Sequence, residues 1–168
     1  MSELDLKGFP LRYSRNVLLL VLVAVGMGQT VLFAVLGPLG REIGLSEIQI
    51  GMIISASSIA VFLTVPFWGR RSDVWGRKKV MLIGMVGYAF GTVLFTAVLE
   101  SAIQGAIAGT TMFVVLVVSR VLHACVMSAT FPASSAYMAD ITDVGTRTKG
   151  MGAVGAANNI GAILGPAQ

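Results

Sequence analysis

A chain of 168 residues that is 55% hydrophobic and only 12% charged, with a mean hydropathy of +0.84, is too apolar for a soluble domain, which carries roughly 25% charge. Its net charge of +4 comes from short clusters between apolar runs, not from a basic surface interleaved with aromatics, which excludes nucleic acid as a partner. The class predicted is an all-α, polytopic transmembrane helix bundle with no separate soluble domain, because the apolar runs continue for about twenty residues where barrel strands would alternate over ~10.

Met1 to Arg15 is a polar lead with Lys7, Arg12 and Arg15 set against Glu3 and Asp5. The uncharged run from Asn16 to Gly40 is longer than the ~7–15-residue apolar core of a signal peptide. It reads as an uncleaved first span, about residues 17–36, ended by Pro38 and Gly40. Ser46 is placed to cap the next helix, with Glu47 in its first turn against the positive helix end. The second span covers about residues 48–67, with Pro66 near its exit.

Then comes W-G-R-R-S-D-V-W-G-R-K-K, Trp68 to Lys79, which holds five of the chain's twelve basic residues. A turn so polar between segments so apolar belongs in water at a membrane face, and its Lys and Arg assign that face to the cytoplasm. The third span is about residues 80–99. Between Glu100 and Asp140 lie 39 residues with one charge, Arg120, long for one span and short for two. Arg147 and Lys149 make the following segment cytoplasmic as well, so two crossings separate it from the basic turn. The fourth span is therefore about residues 112–139 and its lead, Ser101 to Thr111, is external. The inner segments then hold Lys7, Arg12, Arg15, the five of the turn, Arg147 and Lys149, and the outer ones only Arg41. A fifth apolar segment, residues 150–168, is rich in Gly and Ala. A chain that stops within a span reads as a fragment of a longer protein.

Helices in lipid associate through small residues, so Gly87 with Gly91, and Gly161 with Gly165, are candidate packing faces. Arg120 near mid-span costs about 2.5–3.5 kcal/mol on insertion scales, which calls for a cavity, a partner or escape to the interface. His123, three residues on, shares its helical face. Gln29, Asn158 and Asn159 are further polar groups inside spans, and adjacent asparagines ~100° apart cannot both face one cavity. Cys125 is read as a small buried hydrophobe, since one cysteine makes no internal disulfide. Neither a nucleophile–base constellation nor a metal-ligand cluster is visible, so no catalytic residue, metal or cofactor is assigned and the chain is not read as an enzyme.

The turn between spans two and three resembles that of the major facilitator superfamily, and more narrowly its drug:proton antiporter branch, whose pattern is G-x-x-x-D-[R/K]-x-G-x-[R/K]-[R/K]. Gly69, Asp73, Gly76, Lys78 and Lys79 match it, and Arg77 fills a commonly basic slot, while Val74 and Arg71 depart from it. Arg120 matches the R-x-x-Q-G of span four, with His123 and Ala124 in place of Gln and Gly. Gly161, Gly165 and Pro166 match the start of G-x-x-x-G-P-x-x-G-G in span five, and A-Y-M-A-D-I-T with Arg147 resembles the exit of span four.

The resemblance implies the first five spans of a six-helix N-terminal half, a second half beyond it, substrate between the halves, and alternating access by rocking. It implies a gating turn in which Gly69 and Gly76 permit a tight bend while Asp73 caps a helix of the other half beside Arg77, Lys78 and Lys79. Arg120, with His123, Gln29, Asn158 and Asn159, would lie along the proton and substrate path. The function implied is proton-coupled export of small amphipathic molecules, with the lipid bilayer, a small-molecule substrate, protons and the missing C-terminal helices as partners, in the bacterial inner membrane with a cytoplasmic N-terminus. Uptake of a sugar or metabolite, and a short membrane protein that binds or regulates without transporting, are the alternatives.

Overall fold

The computed structural model describes residues 11–165, with side chains from Arg15 onward. Six helices follow one another: α1 (Leu11–Glu42), α2 (Glu47–Trp75), α3 (Arg77–Ile103), α4 (Gly109–Met127), α5 (Thr130–Asp140) and α6 (Arg147–Leu164). The fold is a polytopic helical membrane bundle. Four stretches among the described residues are long and apolar enough to cross a membrane: Arg15–Glu42, Glu47–Trp75, Arg77–Ile103 and Gly109–Asp140. The segment assigned as a fifth span carries the 18-residue α6, and Pro166 to Gln168 lie outside the described residues.

The chain divides into two compact units, Val35–Ala133 and the combination of Met1–Ala34 with Ser134–Gln168. In the first unit α4 packs most extensively on α3 and then on α2. In the second, α6 lies along α1 through glycines, described below.

Several helix limits differ from the sequence expectation. Pro38 sits inside α1 and does not end it. Its fixed φ suits a helix, and the one donor it removes is tolerable in a transmembrane helix. The stop is Gly44, at φ +85°. Gly44 N–H donates to the Arg41 carbonyl at 3.0 Å and Leu45 N–H to that of Gly40 at 2.8 Å, the paired bonds of a Schellman cap. The same device ends α3, where Gly105 at φ +74° donates to Ala102 at 3.1 Å and Ala106 to Ser101 at 2.9 Å. Ser46 does cap α2. Its hydroxyl accepts from Gln49 N–H, and the Gln49 side chain accepts from Ser46 N–H at 2.9 Å, a capping box.

The basic turn is hardly a turn. Helix α2 runs through Phe67 to Trp75, and α3 begins two residues later, with Gly76 at φ +93° as the only link. With 29 residues at ~1.5 Å each, α2 outruns a ~30 Å hydrocarbon core, so its charged end emerges without unwinding. Gly76 needs the backbone freedom that only glycine has. Gly69 does not, because it lies within α2, where an added Cβ would meet only Pro132, at 3.9 Å.

The fourth span is not continuous either. It breaks at Ser128–Ala129, because Pro132 offers no N–H to the carbonyl of residue 128 and its ring crowds that turn. The Cys125 carbonyl, freed at the break, accepts Trp68 Nε1–H at 2.7 Å and the Ser128 hydroxyl at 2.8 Å. Ser128 Oγ also lies 2.9 Å from Thr64 Oγ1 of α2. The break is thus held by a second helix rather than by water, as membrane depth requires.

Candidate functional site

Arg120 and His123 project from α4 into its contact with α3. Arg120 is 3% exposed and His123 2%. Counted from Gly109 at ~1.5 Å per residue, Arg120 lies about 16 Å along α4, near the middle of a membrane-length helix. Its guanidinium Nη1 is 3.0 Å from His123 Nδ1 and its charge rests 5.7 Å from the centre of the Phe95 ring. Tyr88 of α3 sets its ring 5.4 Å from that of His123.

Glycine makes this arrangement possible. A Cβ at Gly91 would stand 2.6 Å from His123 Cδ2 and 2.7 Å from Cγ, so the imidazole occupies the volume that any other residue would fill. One turn earlier, Gly87 receives Val126, and a further turn back Gly84 receives Thr130. The groove beside this seam has a volume of about 550 Å³, and Phe90, Leu122, Gly91 and His123 are among its lining.

The hydrogen-bond chemistry decides the tautomer. Arginine has only donors, so His123 Nδ1 must accept. A neutral ring then carries its proton on Nε2, which is buried and has no hydrogen-bond partner among the described residues.

The residues at the α2–α3 junction come together differently. Asp73, 61% exposed, pairs with Arg77 across Gly76. Arg77 also donates to Ser72 Oγ at 2.7 Å, and Ser72 donates to the Gly69 carbonyl at 2.7 Å. Lys78 and Lys79 are exposed in the first turn of α3. Nothing in the sequence pattern flagged Ser72 or Trp68, although a Trp near the end of a span facing a Pro-broken helix is a usable signal.

In the other unit, Gln29 is partly buried on α1, Asn158 is half-buried and Asn159 exposed on α6. Asn158 Oδ1 would lie 3.2 Å from a Cβ at Gly26, and it is buried without a hydrogen-bond partner among the described residues. Gly161 lies against Val23 and Met27, and Gly165 against Met27, all through backbone atoms of α1. Pro166 is outside the described residues.

Known proteins match nearly the whole chain. The Major Facilitator Superfamily profile covers residues 18–167. Multidrug resistance protein 2 of Bacillus subtilis is 34% identical over 122 residues, 73% of this chain and 28% of that protein. A triacylglyceride transporter of Mycolicibacterium hassiacum is 30% identical over 164 residues, 94% of this chain and 28% of that protein. The quinolone resistance protein NorA of Staphylococcus aureus is 27% identical over 126 residues, 75% of this chain and 29% of that protein. The chain spans less than a third of the length of these relatives. Its membrane-length helices and the extent of the profile match lead to one assignment: the chain belongs to the Major Facilitator Superfamily.

Proposed function

We propose that this chain serves proton-coupled export of small amphipathic molecules by alternating access, as the N-terminal part of a secondary transporter in the bacterial inner membrane. The observation that carries the proposal is the Arg120–His123 pair, a permanent charge and a titratable ring bonded to one another at mid-membrane depth. Such groups are costly in a span and mark ion and substrate pathways. A proton arriving at His123 Nδ1 takes the lone pair that Arg120 uses, so the two side chains must part. That event links proton uptake to a movement of α4 against α3. Export rather than uptake is supported by the names of the relatives, which are drug-resistance proteins and lipid transporters. Gln29 and Asn158, in the other compact unit, are proposed as further polar contacts for a substrate.

The junction at Gly76 is proposed as the gate. Asp73 holds Arg77 in this structure. In the opposite state it would release Arg77 and cap a helix of the other half, where a carboxylate is favoured by the helix dipole. Positive charge on the lead, the junction and the first turn of α6, with Arg147 and Lys149, supports a cytoplasmic N-terminus.

Proteoliposomes made from the complete reading frame that holds this chain test the proposal. A lipophilic dye should leave against its gradient when an inward proton gradient is imposed, and collapse of that gradient should stop it. Accumulation of a sugar under the same gradient would favour uptake. Rates unaffected by the proton gradient would remove the coupling role of Arg120 and His123.

A further inference from the structure

The junction carries more positive charge than its own structure uses. Asp73 is the one acidic residue between Glu47 and Glu100, and it is engaged by Arg77. Arg70 and Arg71 are exposed and, among the described residues, neither is paired with a carboxylate. They border a groove of about 500 Å³ on α2 whose other walls are Leu63, Pro66, Phe67 and Val74. Leu63 is 65% exposed, Phe67 50% and Val74 78%.

Arg71 is held in place at this rim. Its guanidinium lies 4.7 Å from the Trp75 ring centre and 5.4 Å from that of Phe67. Stacking engages the flat face of a guanidinium and leaves its N–H edge for an oxyanion, which it meets bidentately. Depth agrees with this chemistry. From Glu47, Arg70 lies 23 residues along α2, about 35 Å at ~1.5 Å per residue, so a helix crossing a ~30 Å core delivers it to headgroup level. Leu63 lies two turns back, about 11 Å deeper, within the hydrocarbon.

We infer that this groove is a binding site for an anionic phospholipid of the leaflet that the α2–α3 junction meets. Its phosphate is held between Arg70 and Arg71, and one acyl chain runs over Phe67 and Leu63. A zwitterionic lipid offers the same chain and phosphate but adds a cation, and the residues that line this groove include no carboxylate, the neighbouring Asp73 being paired with Arg77. The inference stands apart from the transport proposal, since it needs neither a substrate nor a coupling ion.

The test is native mass spectrometry of the full 168-residue chain released from detergent with phosphatidylglycerol or phosphatidylcholine. The wild-type chain should retain one phosphatidylglycerol at least fivefold better than phosphatidylcholine. R70Q/R71Q should lose that preference, F67A should weaken it, and R147Q/K149Q, which removes equal charge elsewhere, should keep it. Equal retention of the two lipids by the wild type would overturn the proposal without reference to any variant. So would loss of preference in R147Q/K149Q to the same degree as in R70Q/R71Q, which would mean diffuse charge attraction. A dimer that forms in the wild type and dissociates in F67A would assign the groove to a second copy of the chain instead.

Discussion

Two helix pairs in this protein use the same small-residue spacing and make different joints from it. Gly161 on α6 and Gly165, which caps it, meet backbone: a Cβ at Gly161 would stand 2.9 Å from Met27 N, and one at Gly165 2.6 Å from the Met27 carbonyl oxygen. On α3, Gly87 and Gly91 meet side chains, Val126 and His123 of α4. The first is a rigid seam between main chains, of the kind that lets helices approach closely in lipid. The second is a row of sockets, one of which seats the imidazole bonded to Arg120. A G-x-x-x-G motif thus specifies close approach, but the facing helix decides whether main chain or side chains fill the space.

Substitutions at these glycines separate the two cases. The largest effect is expected for Gly161→Ala, because the atoms in its way belong to the α1 backbone and cannot rotate aside. Overpacking of this kind costs about 3 kcal/mol, at the top of its usual range, and should appear in the midpoint of denaturant unfolding of the purified chain. A change under about 1 kcal/mol would show that the two main chains are not in contact.

Gly91→Ala comes next. The imidazole can tilt, so a loss of about 2 kcal/mol is expected, along with rupture of the Arg120–His123 bond. Pairing it with His123→Ala sharpens the distinction. The double variant should recover at least ~1 kcal/mol relative to the sum of the single ones, the signature of two groups competing for one volume. Strict additivity would mean that His123 does not fill the Gly91 socket.

Arg120→Lys tests what the socket is for. Lysine keeps the charge and loses the planar fork, so proton-driven dye efflux by the complete transporter should fall about tenfold, or ~1.4 kcal/mol. Insertion and unfolding should change little. Near-normal efflux would make Arg120 a snorkelling charge, a task lysine does equally well.

The smallest effect is expected at Gly155, on α6 like Gly161 but with nothing within 4 Å of an added Cβ. There Ala should stabilise by up to ~1 kcal/mol through helix propensity alone. Destabilisation at Gly155 would mean that this face of α6 carries a contact too.

Local patterns of this chain were legible without coordinates. The Ser46 cap, the adjacency of Arg120 and His123, and the membrane-length character of the apolar runs follow from spacing and composition, because helix periodicity and the thickness of a bilayer are the same everywhere. Helix ends were read less well: the expected stop of the first span, Pro38 with Gly40, falls inside α1. Gly44 and Gly105 end their helices by taking positive φ, while Pro38, a nominal breaker, is carried inside α1. Pro132 had the opposite outcome. It interrupts the fourth span, and Trp68 and Ser128 take up the Cys125 carbonyl left free at that break, with Thr64 on the Ser128 hydroxyl. Whether a proline breaks a membrane helix depends on whether a neighbouring helix can satisfy the orphaned carbonyl, and that neighbour is distant in sequence.

Hydropathy and charge by themselves determined that this protein is an α-helical membrane bundle, and the charged motif at Gly69 to Lys79 pointed to its family. These are properties of each segment against its solvent, and they need no partner. Tertiary structure alone decided that the basic turn is two helix ends hinged at Gly76, that Asp73 spends its charge on Arg77, that Gly91 makes room for His123, and that Arg70 and Arg71 are left facing outward. The His123 seat depends on atoms of remote segments coming within a few ångströms, and even the local pairing across Gly76 depends on backbone angles that a linear pattern of residue types does not encode.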